Sequence, residues 1–186
     1  MKRFYANLDR YRGKLLVRDS EISNNAEVIR RLGVTSMNTA LEMDIYGNVN
    51  SSQRNGTTMV NGIGGSCDFS RSASLTIFMR YATTKGGAVS TVVPMCSHID
   101  HTEHDVDVLI TDEGYADLRG RSPKERARLI IENCAAPAYR PYLRRYFEDA
   151  CEATGNAQTP HILSRAFELY DNLAKTGRML PAEKGE

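Results

Sequence analysis

Thr57-Thr58-Met59-Val60-Asn61-Gly62-Ile63-Gly64-Gly65-Ser66 is the stretch on which the reading of this chain turns. A short β-rich run ends in glycines, and Asp68 to Ser74 can form one or two helical turns, so the segment reads as strand, glycine turn and helix start. Gly62, Gly64 and Gly65 carry no Cβ, which leaves backbone N–H groups unshielded beside the helix start. Such a nest suits an anion, either a phosphate or the oxyanion of an acyl-transfer intermediate. Glycine clusters also occur in plain turns. The spacing is neither a Walker A loop nor G-x-G-x-x-G.

On the C-terminal side of this stretch, Leu75 to Met79, Ala88 to Val93 and Val106 to Ile110 are β-rich runs separated by polar loops, one of which holds Lys85-Gly86-Gly87. On its N-terminal side, Leu15-Leu16-Val17 reads as a short strand. Asn24 or Asn25 caps a helix over Ala26 to Leu32 that Gly33 ends. A strand follows at Val34 to Met37, and Ala40 to Ile45 leads into the hairpin turn Tyr46-Gly47-Asn48-Val49-Asn50. Together these runs predict a mixed sheet of about five strands.

The last third is helical. Ser122-Pro123-Lys124-Glu125 is a capping box with Pro at the first helical position, opening a helix to about Asn133. Pro141 opens a second helix. Pro160 opens a third, in which Leu163, Ala166, Phe167, Tyr170 and Leu173 recur at helical spacing until Gly177. The organisation is therefore one α/β domain over 1–186, with a lead-in at 1–14, sheet and loops over 15–120, helices over 121–178 and a tail at 179–186.

The 186 residues include 24 Lys or Arg and 23 Asp or Glu, a formal charge of +1, which excludes a polybasic nucleic-acid footprint and an acidic tail. There is no apolar run long enough to span a membrane and no apolar segment at the N-terminus of the kind a secretory signal has, so a cytoplasmic protein is expected. Cys67, Cys96, Cys134 and Cys151 are widely spaced with no C-x-x-C pair, and read as reduced and mostly buried.

Two further clusters carry chemistry. Ser97-His98-Ile99-Asp100-His101-Thr102-Glu103-His104-Asp105 concentrates imidazoles and carboxylates. It suits either a zinc-like ion held by His98, His101 and His104 or a His–carboxylate hydrogen-bond network, and the H-x-x-H-x-x-H spacing is not a helical i, i+4 pair. Asp112 or Glu113, just after the Val106 to Ile110 run, projects at a strand end, where α/β sheets collect ligands; an exposed turn is the plainer alternative.

At these same segments the chain closely resembles the C-terminal part of the acetyl-CoA hydrolase/transferase family, in particular its succinyl-CoA:acetate CoA-transferase branch. The resemblance rests on Glu21-Ile22-Ser23-Asn24-Asn25, Asp44-Ile45-Tyr46-Gly47-Asn48-Val49-Asn50-Ser51, Asn61-Gly62-Ile63-Gly64-Gly65-Ser66, His101-Thr102-Glu103-His104-Asp105-Val106 and Ala116-Asp117-Leu118-Arg119-Gly120. It extends from about Leu15 to Gly177. The resemblance implies a NagB/RpiA/CoA-transferase-like fold, a mixed sheet flanked by helices. It also implies transfer of coenzyme A between carboxylic acids, with succinyl-CoA and acetate as the expected pair, through a glutamyl-CoA thioester; water as acceptor would give a hydrolase.

Carried over position by position, the resemblance places Asn61, Gly65 and Lys85 in contact with coenzyme A. It gives the Gly65 N–H an oxyanion to stabilise and makes Asn24 a polar active-site residue. Asp112 falls where the family usually has a glutamate that assists the reaction, one methylene longer, with Glu113 as the substitute. The nucleophilic glutamate of the family lies upstream of the position matching Met1, and Glu42 reads as a sheet-surface or supporting carboxylate rather than its replacement. The expected partners are acyl-CoA, small carboxylates and the N-terminal half of the same enzyme, with no nucleic acid, membrane or metal. An apolar face left exposed for that half would promote self-association.

Overall fold

The computed structural model describes residues 2–181. In chain order its helices are α1 (Lys2–Tyr5), α2 (Ser20–Ser23), α3 (Ala26–Leu32), α4 (Ser66–Ser72), α5 (Pro123–Asn133), α6 (Arg140–Thr154) and α7 (Glu168–Thr176). The strands are β1 (Thr35–Thr39), β2 (Glu42–Asp44), β3 (Val49–Asn50), β4 (Gln53–Arg54), β5 (Thr58–Met59), β6 (Leu75–Met79), β7 (Thr83–Thr84), β8 (Val89–Ser90), β9 (Val92–Val93), β10 (Val108–Ile110) and β11 (Tyr115–Asp117). Short 3-10 turns lie at Leu8–Tyr11 and Glu103–Asp105.

The expected mixed α/β architecture is present, but not as one five-stranded sheet. The main sheet has the order β1-β6-β10-β11, with β1, β6 and β10 parallel and β11 antiparallel at the edge. A second sheet has the order β3-β2-β9, and β4-β5 and β7-β8 are separate antiparallel pairs. The Ala88 to Val93 run divides at Thr91, where it changes partner: the Thr91 N–H donates to Ala82 O in continuation of the β7–β8 pairing, while its carbonyl accepts from Met43 N of β2. The half before Thr91 then pairs with β7 and the half after it with β2.

Local signals in the middle of the chain are realised closely. The Asn25 side chain accepts from the N–H groups of Glu27 and Val28, and Gly33 closes α3 in the left-handed conformation at φ 64. Ser122 and Glu125 form both halves of the capping box. The Tyr46 to Asn50 turn is organised by buried Asp44, whose Oδ1 accepts from Tyr46, Gly47 and Asn48 N–H groups. Burial pushes the Asp44 carboxyl up to about 6, against the hydrogen bonds that favour its charge.

Two sequence expectations fail. Leu15-Leu16-Val17 is not a strand: among the described residues no strand pairs with it, and Leu16 and Val17 are 72% and 82% exposed. The third helix begins at Glu168 rather than at Pro160. The Tyr46 hydroxyl donates to Pro160 O, and the Tyr146 hydroxyl pairs with His161 Nδ1 at 2.9 Å and accepts from Ile162 N, so 160–162 are held in an irregular path. The stretch read as tail is also partly structural: Met179 is buried and its N–H donates to Ala88 O. Residues 182–186 of that tail lie outside the described residues.

The core lies between one face of the main sheet and the helices, and includes Phe78, Leu109, Leu118, Ile130, Ile131, Leu143, Tyr146 and Leu169. Each large apolar side chain buried there contributes about 1.5–3 kcal/mol. The opposite face is only partly covered among the described residues, with Ile77, Met79, Val108 and Ile110 half-buried. Met37, Ile77 and Val108 stand in register across it, as do Met79, Ile110 and Tyr115, with Met37 64% exposed. No described helix is long and apolar enough to cross a membrane.

Candidate active site

Parallel strands end together, so β1, β6 and β10 bring Thr39, Met79 and Ile110 side by side at one edge of the main sheet. Beyond those ends lies an open depression of about 370 Å3 lined by Thr39, Met79, Arg80, Tyr81, Ile110 and Asp112, among others. Asp112 enters it from the turn after β10, with its Oδ1 accepting from Ala82 N at 2.6 Å. Glu113 turns elsewhere: it reaches Arg140 at 3.4 Å and lines a separate hollow with Gly114 and Tyr115. The geometry therefore separates Asp112 from Glu113, which the sequence reading offers as its substitute.

The glycine turn arrives at the same edge. Ser74 N–H donates to Val34 O near the start of β1, so α4 runs back along the sheet and carries its opposite end, at Gly65, toward the strand ends. Asn61 is tied there directly, since its Nδ2 donates to Ser51 O at 3.3 Å and Ser51 Oγ donates to Thr39 O at 3.5 Å. Among the described residues, none of the N–H groups of Gly62, Ile63, Gly64 and Gly65 has a hydrogen-bond acceptor in the protein. They form an open row of donors.

Asn24 and Gly65 meet. Asn24 ends α2 and donates through Nδ2 to Asp68 Oδ2 at 3.0 Å, while its Oδ1 accepts from Ser23 Oγ. A primary amide has two N–H bonds, so one on Nδ2 is spent on Asp68, and among the described residues the other has no acceptor beside the Gly65 backbone. A Cβ at Gly65 would stand 3.4 Å from Asn24 Cγ and closer still to Nδ2, which shows why glycine is needed there.

Lys85 lies on the β7–β8 turn with φ 51, in a cleft that it shares with Glu42, Arg54, Arg80 and Thr84. Arg80 lines both this cleft and the Asp112 depression, and its Nε is buried without a hydrogen-bond partner among the described residues. Among the described residues Lys85 has no hydrogen bond to the glycine turn or to Asp112, and the cleft it lines shares only Arg80 with the Asp112 depression. Glu42 is buried, and its Oε1 accepts from Asn50 Nδ2, Ser97 N and Ser97 Oγ. Three donors on one oxygen fit a supporting carboxylate.

The histidines do not converge. His98 pairs with Asp100, His104 is exposed beside Glu103, and His101 is buried between Ser66 and Ser70. Among the described residues no group of three or more His, Cys, Asp or Glu side chains is placed to hold a metal ion. The sequence reading missed Arg80, whose signal is faint, and Asp68, which fixes Asn24. It read Asp100 and His101 as members of a metal-ligand or His–carboxylate cluster, not as supports of the glycine turn.

Residues 1–147 match the family model described as acetyl-CoA hydrolase/transferase C-terminal domain. The chain is 53% identical over 176 residues to a succinyl-CoA:acetate CoA-transferase of Clostridium kluyveri, covering 95% of this chain and 32% of that protein. It is 53% identical over 180 residues to a propanoyl-CoA:succinate CoA transferase of Escherichia coli, covering 97% and 36%. An acetyl-CoA hydrolase of Neurospora crassa is 47% identical over 185 residues, covering 96% and 35%. Among solved structures, a 4-hydroxybutyrate CoA-transferase from Porphyromonas gingivalis superposes with a TM-score of 0.52 at 29% identity, covering 68% of this chain and 29% of that one. The chain thus spans about a third of the length of the curated relatives it matches, and it belongs to the acetyl-CoA hydrolase/transferase C-terminal domain family.

Proposed function

We propose that this chain supplies the coenzyme A contacts and the oxyanion donors of a CoA-transferase site, with the nucleophilic glutamate provided by a polypeptide region corresponding to the upstream part of its relatives. The observation that carries this reading is the meeting of Asn24 and Gly65, which leaves two unspent N–H donors beside each other at the sheet edge. A glutamate oxygen adding to the thioester carbonyl of an acyl-CoA puts negative charge on the carbonyl oxygen. The Asn24 Nδ2–H and Gly65 N–H are fixed in advance for that charge. Collapse of the adduct expels the CoA thiolate, which then attacks the glutamyl carbonyl and releases the first carboxylate, leaving glutamyl-CoA thioester. An acceptor carboxylate reverses the sequence.

Lys85 serves an anionic group of the cofactor, and Asp112 is the auxiliary acid, favoured over Glu113 because only Asp112 lines the strand-end depression. The partly exposed sheet face through Met37, Ile77 and Val108 is where the upstream region packs; without it, that face drives self-association. Succinyl-CoA and acetate are the proposed donor and acceptor. Hydrolysis is the second reading, favoured by the match to the Neurospora hydrolase, and differs only in water taking the acceptor's place. Cytoplasmic residence and a single domain over 1–186 complete the proposal.

Calorimetric titration of the chain with coenzyme A tests it. Saturable binding is expected, weakened about tenfold by Lys85→Ala, the loss of one charge-assisted hydrogen bond. Absence of saturable binding at millimolar coenzyme A contradicts the proposal.

A further inference from the structure

Asp100 and His101, adjacent in the chain, grip the two shoulders of the glycine turn. On the first shoulder, Asp100 Oδ2 accepts from Ser51 N at 2.7 Å and from Ser52 N and Ser52 Oγ at 2.8 Å. Ser52 O in turn accepts the N–H groups of Val60 and Asn61, the residues that lead into Gly62. Burial works against the Asp100 charge, but the donors of Ser51 and Ser52 and the neighbouring His98 hold its carboxyl below its ordinary value.

On the second shoulder, His101 is wholly buried against the Phe78 ring, with 4.7 Å between centroids. Its Nε2 lies 3.0 Å from Ser66 Oγ and its Nδ1 3.3 Å from Ser70 Oγ. Ser66 Oγ donates its one proton to Ile63 O at 2.7 Å. The contact with the imidazole therefore needs a proton on Nε2, while the one proton of the Ser70 hydroxyl is placed to go either to Cys67 O or to Nδ1, each at 3.3 Å. The chain of bonds is directional: His101 Nε2–H to Ser66 Oγ–H to Ile63 O, inside the glycine turn itself.

We propose that His101 is a positioning residue for the proposed oxyanion donors, acting as a neutral Nε2–H tautomer that fixes Ser66 and, through it, the Gly62 to Gly65 backbone, with Asp100 anchoring the other side. It rests on the reading of this turn as an oxyanion site only for its functional consequence; the ordering of the turn is independent of ligand. Burial lowers the His101 pKa against the charges of Asp100 and Asp105, and Arg71 acts in the same direction as burial. In the neutral Nε2–H ring the Ser70 hydroxyl donates to Nδ1 rather than to Cys67 O, and every polar atom of the imidazole is paired.

Gln places an amide N–H about where imidazole Nε2 sits, whereas Phe fills the volume with no donor. Ser66→Ala breaks the same link from the loop side and leaves the ring in place. The experiment records imidazole 1H–15N spectra of the labelled chain and backbone 15N order parameters for Gly62, Gly64 and Gly65, without ligand, and then coenzyme A affinity. Expected are an Nε2–H tautomer, lower order parameters in His101→Phe and Ser66→Ala, recovery in His101→Gln, and affinity losses in the two disruptive variants that do not add in the double variant. A protonated or Nδ1–H ring, or glycine order unchanged in folded Ser66→Ala, overturns the inference. If the wild-type chain binds no coenzyme A but the order parameters behave as stated, the functional reading fails and the positioning of the turn stands.

Discussion

Gly65 packs so tightly on Asn24 that no side chain fits between them: a Cβ at 65 would collide with the amide that Asp68 holds in place. The backbone angles at Gly65, φ −85 and ψ 5, suit any residue, so the demand for glycine here is one of space alone.

Gly65→Ala should therefore leave the fold intact and displace Asn24. The expected result is a coenzyme A affinity or transfer rate reduced at least tenfold, with a melting temperature within a few degrees of the wild type. Asp68→Ala, which frees the Asn24 amide without crowding it, should give a smaller loss in the same assay.

Asp112 and Glu113 are separated by a chimera in which the upstream region of the Clostridium relative precedes this chain. Asp112→Asn should lower its kcat about 100-fold, the scale of a lost general acid, while Glu113→Gln stays within a few-fold. The reverse ranking would move the auxiliary role to Glu113.

The Ser122 capping box is a stability element remote from chemistry. Ser122→Ala should cost about 1 kcal/mol by denaturant unfolding, because the hydroxyl serves Glu125 N–H at the start of α5. Coenzyme A affinity should not change.

Stability should vary with pH through three groups that act in opposed directions. His101 and His161 are both lowered by burial below 6.5, so the unfolded chain takes up their protons first and stability is lost as pH falls below about 6.5. Asp44 is raised from 3.8 to about 6, so the folded chain keeps that proton longer, and its contribution is full below pH 3.8 and lost as pH rises to about 6. Its size is on the order of 3 kcal/mol. Unfolding curves at several pH values should show Asp44→Asn removing the second slope and His101→Gln reducing the first.

Much of the architecture was legible in local signals. The Asn25 cap, the Gly33 stop, the Ser122 box and the β-rich run at Leu75 to Met79 each act within a few residues, where propensity and hydrogen bonding suffice. What was not legible depended on distant partners. The Leu15 to Val17 run lacks a neighbour to pair with among the described residues, and Pro160 does not open a helix because Tyr46 and Tyr146, far away in sequence, claim that backbone. The site divides the same way. Glycine spacing marked the donor row, while its supports, Asp68, Asp100 and His101, are visible only once the chain has folded.

The central claim, that this chain binds coenzyme A and stabilises the oxyanion while its own glutamates form no intermediate, is tested most directly by intact-mass analysis after exposure to succinyl-CoA. The chain alone should stay unmodified, and after addition of the upstream region of the Clostridium relative a hydroxylamine-sensitive coenzyme A adduct should appear on that region. A coenzyme A thioester on a glutamate of this chain would contradict the account.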